Sequence, residues 1–382
     1  MAEHTLTDLA ADIYVAADKV GRELVGMIPA VTINGGAEAA AKDDTVRSFV
    51  TSEVSPTTLT PAMTIPEGTG QTVANKTMTL DVMETVEIPF TGEGIKHLNN
   101  GSGFDTVYGD MIAQAMRAHV NAIEIKLAVA ARAGACRAYG TAGTTPFGTA
   151  NDYTDASNAL KILKDNGAGA FDNQMVINTT SGANFLGKQS AVNATGTDSI
   201  LRQGVILDIA GMPVRESGQL GTHTAGTGAS YVTDGSTLPV GTTTIHVDTG
   251  TGTTVAGDVI SFADDPNKYV VVTGFAGDGD MDVVIQEPGL MQALPDGKAM
   301  TVAAASSNNL VFARSAIELA MRAPADPVGG DAASDSMTVT DPHSGLSFAI
   351  SVYKGRKKAM IAVDALYGVN VWKEQHVGVL LG

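Results

Sequence analysis

The chain has 382 residues, enough for two or three domains and a substantial core, with 44% apolar residues, 17% charged residues and 43 glycines. That balance suits β-rich, loop-rich structure rather than a helical enzyme. A formal charge of −17 argues against a dedicated nucleic-acid binder, and the single cysteine, Cys136, excludes an intramolecular disulfide framework and fits a reducing cytosol.

Residues 5–27 predict an amphipathic helix: Leu6, Leu9, Ile13, Ala17, Val20 and Leu24 recur at three- and four-residue steps, with Asp8, Asp12, Asp18 and Arg22 between them. Thr5 or Thr7 is placed to cap it, and Gly26 and Pro29 to end it. Its acids and the lack of an apolar run give no sign of a signal peptide, and no stretch of about 18 apolar residues predicts a membrane span. From Thr51 to Gln71 the chain is Thr, Pro and Gly with little apolar mass, an extended arm. From Thr77 to Phe90 it alternates: Met78, Leu80, Val82, Val86, Ile88 and Phe90 on one face, Thr77, Thr79, Asp81, Thr85 and Glu87 on the other. Met83 and Glu84 interrupt the pattern once each. A lone ribbon of this length cannot bury its own apolar face, which assigns that face to another copy of the chain.

A long helix follows. Asp110 to Ala133 contains no Gly and no Pro. Phe104, Tyr108, Met111, Ala115, Ala122, Ile125 and Val129 form one apolar stripe. Val107, Ile112, Met116, Val120, Ile123 and Leu127 form a second, and Gly134 stops the helix. Such a rod is a structural spine. Residues 152–216 read as mixed α/β: a helix from Asp155 to Asn166, a strand at Gln174–Asn178, a helix at Ser181–Gln189, and strand pieces at Val205–Ile209 and Met212–Val214.

At about Ser217 the texture changes. Residues 217–307 contain short Val/Ile/Thr-rich runs at Thr243–Val247, Asp258–Phe262, Tyr269–Thr273, Asp282–Gln286 and Ala299–Val302, separated by Gly- and Asp-rich turns, an all-β pattern. Ten acids face two bases there, a net −8 that carries nearly half the charge of the chain and predicts a solvent-facing insertion. Beyond Asn309, Leu310–Ala323 reads as a helix stopped by Pro324 and Ala325–Asp335 as a loop. Leu346–Tyr353 and Ala359–Asp364 read as strands around a Lys354-Gly355 turn.

Chemistry-bearing motifs are sparse. The seven histidines, His4, His97, His119, His223, His246, His343 and His376, are scattered, with no H-E-x-x-H spacing. Cys136 reads as a small buried residue after a helix. Asp278-Gly279-Asp280-Met281-Asp282 opens like a calcium loop, but Val283 and Gly289 stand where the turn glycine and the bidentate glutamate belong, so a hairpin turn is expected, with a weak cation site as the alternative. Gly250-Thr251-Gly252 lacks the lysine and the helix of a phosphate loop, and no G-x-S-x-G elbow is present. Lys354, Arg356, Lys357 and Lys358 form the one basic cluster, read as a solvated turn. No catalytic, cofactor-binding or metal-binding residues are assigned, and no enzyme activity or cofactor is expected.

Several stretches carry a resemblance in their order along the chain. They are Glu23-Leu24-Val25-Gly26-Met27-Ile28-Pro29-Ala30-Val31 after the arm helix, Thr45-Val46-Arg47-Ser48 before the extended loop and Phe90-Thr91-Gly92-Glu93 after it. Ala256-Gly257-Asp258-Val259-Ile260 in the β region and Asp364-Ala365-Leu366-Tyr367-Gly368-Val369 near the end complete the set. Together they resemble a tailed-bacteriophage major capsid (coat) protein of the HK97-like fold, in the subgroup with an inserted β-domain. The resemblance implies an α+β fold. Its parts would be an N-terminal arm (1–50), an extended loop (51–95) and a peripheral domain with the spine helix (96–150). The first part of an axial domain (151–216), an inserted β-barrel-like domain (217–307) and the axial and peripheral remainder (308–382) would follow.

It also implies self-assembly through pentamers and hexamers into an icosahedral head shell around double-stranded DNA, in the host cytoplasm, with a scaffolding protein, a portal, decoration proteins and only nonspecific proximity to DNA. Some members crosslink a lysine to an asparagine. Lys76 lies in the arm, but no motif specifies such a bond and none is expected. A shell of an encapsulin-type nanocompartment and a β-rich fibre or adhesin module are the competing readings. Nearby cargo would mark the first, and a secretion signal or shaft repeat the second.

Overall fold

The thirty residues Phe104–Ala133 form one unbroken helix in the computed structural model of the chain. The structure describes residues 13–382 apart from 18, 37, 52–55, 57, 62, 65–72, 95–103, 150–151, 170–171 and 189–207. At 1.5 Å per residue the spine helix is about 45 Å long. Its second stripe faces inward: Ile112, Met116, Val120, Ile123 and Leu127 are buried in the main core. That core also takes residues from Ile13 near one end of the chain to Leu381 near the other.

Two sheets flank this helix. The smaller is built on the fourteen-residue strand Lys358–Val371, which pairs antiparallel with Val82–Thr91, Ile317–Arg322 and Ser347–Lys354. Ala333–Thr340 and Thr32–Gly35 extend it. The larger runs, in spatial order, through Val214–Ser217, Asn173–Asn178, Asn309–Ala313, Val377–Leu380 and Arg137–Tyr139. It continues through Lys268–Thr273, Met281–Ile285, Thr244–Asp248 and Val232–Thr233. Most strands of residues 217–307 therefore share one continuous sheet with the body, joined where Arg137 and Ala138 pair with Tyr269 and Lys268. They nevertheless enclose a core of their own around Tyr231, Ile245, Ile260, Tyr269, Val271 and Val283. The chain leaves and rejoins the body at one point, where Thr222–His223 pairs antiparallel with Ser306–Ser307.

Several expectations change. Helical residues are described only at 13–17 and 19, and residues 21–26 run as coil, so the first helix does not reach Met27. Arg22 and Glu23 are drawn to Asp341 and Arg117, and those distant partners require an open backbone. Leu24, placed on the apolar face, is exposed. Residues 1–12 and 205–207 lie outside the described residues, as does most of the arm from 52 to 72. Leu310–Ala323 is not a helix but two strands, Asn309–Ala313 and Ile317–Arg322, joined by a short 3-10 turn. Both faces of these strands are buried, which removes the alternation that would have marked them. The strand Ala333–Thr340 begins inside the stretch Ala325–Asp335 expected as a loop, and Lys358–Val371 runs well past Asp364.

The Thr77–Phe90 ribbon is two strands, broken at Leu80 and Asp81. Its apolar face is covered by its own chain. Met78 and Leu80 pack with Ala320, Leu366 and Trp372, and Val82, Val86, Ile88 and Phe90 pack on the main core. Two of the ten acids in residues 217–307, Asp258 and Asp265, are buried rather than solvent-facing.

Candidate functional site

Among the described residues the titratable groups do not converge on one catalytic or metal site. His119 is buried, bonded through Nε2 to the Val363 carbonyl at 2.9 Å and stacked on Phe348. His343 and His376 contact the Ala17 and Asn166 carbonyls, His223 pairs with Asp258 and His246 with Asp282, and His4 and His97 lie outside the described residues. Among the described residues no three His, Cys, Asp or Glu side chains gather as metal ligands. Cys136 is buried, and burial pushes its thiol up to about 11. Asp278 accepts the Gly252 N–H at 3.0 Å, tying two turns together. Lys354, Arg356, Lys357 and Lys358 sit exposed on a hairpin turn.

What the fold does present is surface. Thr45–Thr51 and Val73–Thr79 form a two-stranded antiparallel ribbon with seven residue pairs and no third strand among the described residues. Its root is fixed. Asp43 N–H bonds to the Leu80 carbonyl and Leu80 N–H to the Asp44 carbonyl, each at 2.9 Å. Lys76 Nζ donates to the Trp372 carbonyl at 2.6 Å and lies 3.3 Å from Glu374, while Trp372 Nε1 donates to Glu318. Beyond the root no described residue pairs with either outer edge of the ribbon, and Leu59 and Met63, between its strands, stand in solvent at 88% and 107% relative exposure. Unpaired strand edges are templates for pairing with another chain.

A second surface follows the spine helix. Met111, Gln114, Ala118, Ala122, Ile125 and Val129 line its outer face without a charge, and Met111, Ile125 and Val129 are exposed. Beside Ile125 and Val129 the Gly218–Thr222 strap borders a cleft of about 300 Å³. The first apolar stripe is therefore split, with Tyr108 and Ala115 inside and these residues outside.

Three polar clusters, two of them buried and one half-buried, fix these surfaces in place. Glu124, on the inner arc of the helix, has no exposed surface and accepts Ile28 N–H at 2.8 Å, Met27 N–H at 3.1 Å and Ser217 Oγ–H at 2.7 Å. Burial raises its carboxyl above the ordinary value against the pull of those donors. Two turns earlier, Arg117 forks onto both oxygens of Glu23, and Asn121 donates to it at 2.9 Å. The Arg117 bond holds Glu23 down at about 2, with Asn121 contributing. At the end of the helix, buried Arg132 donates to the Gly257 carbonyl, the Ser306 hydroxyl and the Asn308 side chain at 2.9–3.0 Å. Burial brings it down to about 10, with the charge of Asp258 opposing. The sequence offered one signal for Glu124, a lone acid within the arc of the second stripe. Arg132 carried none.

No protein-family description and no curated protein sequence matches the chain. Solved structures do. The capsid structure of cyanophage P-SCSP1u matches with a TM-score of 0.50 and 12% identity, over 95% of this chain and 89% of that one. A structure of Mycobacterium phage Che8 gives 0.48 and 11%, over 94% and 92%. The virus-like particle from Pyrococcus furiosus gives 0.44 and 10%, over 99% and 100%. At such identity the likeness to the cyanophage chain is one of fold, and the chain has the HK97-like α+β architecture.

Proposed function

We propose that this chain is a structural major capsid protein. Copies assemble through pentamers and hexamers into an icosahedral head shell enclosing double-stranded DNA. The observation that carries the reading is the self-paired ribbon, rooted on Trp372 and Leu80, with edges that no described residue pairs and with Leu59 and Met63 in solvent. A projecting strand pair with no third strand among the described residues suits contact with a second copy, and repetition turns modest contacts into a stable shell. The fold it shares with the cyanophage capsid chain supports the same reading. In this proposal residues 51–95 are the extended loop, 96–150 the peripheral domain, 151–216 and 308–382 the axial body and its remainder, and 217–307 an inserted β-domain. The role is structural rather than catalytic, its place is the virion assembled in the host cytoplasm, and its further partners are a scaffolding protein, a portal and decoration proteins. The described residues hold no helix long and apolar enough to cross a membrane.

The test is electron microscopy of bacterial lysates expressing the chain alone and with its scaffolding protein. Closed isometric particles are expected. Soluble monomers under both conditions would remove the reading, and particles that package an enzyme instead of nucleic acid would shift it to a cellular nanocompartment shell.

A further inference from the structure

Positive charge is concentrated at one place on this chain. Lys354, Arg356, Lys357 and Lys358 crowd one exposed turn of a molecule whose net charge is −17. The turn is rigid. It closes the hairpin Ser347–Lys354/Lys358–Val371, with Gly355 N–H on the Lys358 carbonyl at 2.7 Å and Lys357 in the left-handed region at φ 57°. A third strand buttresses it, since Lys358 pairs with Thr91 and Gly92 N–H reaches the Lys357 carbonyl. Among the described residues Arg356, Lys357 and Lys358 make no ion pair. In the 217–307 region exposed His246 bonds Asp282 at 2.8 Å and sits opposite it across the strand pair, Asp234 N–H bonds to the His246 carbonyl at 3.2 Å, and Asp280 lies two residues before Asp282 on the same exposed edge. Three exposed carboxylates thus lie within a short stretch of two paired strands and the loop beside them.

Copies carrying −17 each repel when brought within a Debye length of about 8–10 Å. Close packing then favours the one arrangement that sets unlike charges together. We propose that the basic turn at 354–358 docks against the acidic patch around His246 of a second copy. The inference rests on the shell reading and adds which surfaces of neighbouring copies meet. A turn already held by three strands loses little conformational freedom on docking, which suits a protein surface of fixed shape. Phosphates of enclosed nucleic acid are the competing occupant. A single four-residue basic turn on so acidic a chain gives no extended basic face along which to follow a phosphate backbone.

The experiment compares particle yield, sedimentation and salt dependence for the full chain and three variants: R356E/K358E, D234K/D280K and the four-substitution combination. Thermal melts of the subunits check that each variant folds. Each double variant is expected to need about tenfold more subunit to form particles at low salt, a change high salt erases, and the combination is expected to recover assembly. Folded double variants that assemble like the unsubstituted chain, or a combination no better than its halves, would overturn the proposal. So would R356E/K358E particles of normal yield that retain less nucleic acid. If the unsubstituted chain forms no particles, the shell reading and this inference fall together, whereas normal particles with unaffected variants remove the inference alone.

Discussion

Glu23 and Glu124 secure one short strap of backbone to the spine helix, yet their surroundings move them in opposite directions. Glu23 falls from 4.5 to about 2, chiefly through its bond to Arg117. Its folded value is depressed, so its contribution is complete above the unfolded value and is lost as pH falls through the folded one. Glu23→Gln should therefore be less stable than the unsubstituted chain at neutral pH, and urea midpoints of the two should converge as pH approaches about 2. Glu124 is raised above 4.5 by burial. The folded state takes up its proton first, so this group adds stability as pH falls from the folded value toward 4.5 and subtracts it as pH rises. Glu124→Gln puts an N–H₂ against a cluster of donors and should cost roughly 1–3 kcal/mol. Because the variant lacks the titration, its deficit should widen, not close, on acidification through that window. Parallel pH curves for the two variants would show that the strap is not held by these carboxylates.

Among the elements, the ribbon depends on a close crossing. Gly368 lies under the turn from Thr79 to Leu80, where a Cβ would stand 2.2 Å from the Thr79 carbonyl oxygen. Gly368→Ala must push that backbone away and should cost about 1–3 kcal/mol. Hydrogen exchange is expected to accelerate across Val73–Thr79 while Asn173–Asn178 keeps its protection. Unchanged exchange in the ribbon would show that the crossing is not its anchor. The spine helix and the strands between residues 217 and 307 were legible in the sequence because each shows a regular apolar period. Asn309–Arg322 was not, because its two strands bury both faces and so show no period of their own. The ribbon was legible as a strand but not as to its cover. Alternation reveals that one face is buried, and Trp372, Leu366 and Ala320, which bury Met78 and Leu80, come from far along the chain. The exposed row at Met111, Ile125 and Val129 was equally hidden, since composition does not distinguish an apolar stripe facing a core from one facing outward.

For the whole molecule, the pairing of Thr222–His223 with Ser306–Ser307 means that residues 224–305 leave and return at one place. Replacing them with a short glycine link should leave a body that still folds cooperatively with its strand order intact. Its melting temperature should fall, because Arg132 loses the Gly257 carbonyl and Arg137–Tyr139 loses a neighbour. Loss of protection throughout the body in hydrogen exchange would show instead that the two parts fold as one. The strand Val377–Leu380 sets a different limit. It lies between Arg137–Tyr139 and Asn309–Ala313, and Leu381 beside it enters the same core as Ile13. A ribosome must finish this late stretch before the central sheet can close. Until then the nascent chain carries a gap flanked by bare edges, and such long-range closure is slow and prone to aggregation. The yield of folded chain would then be governed by how fast that gap closes relative to association of the bare edges.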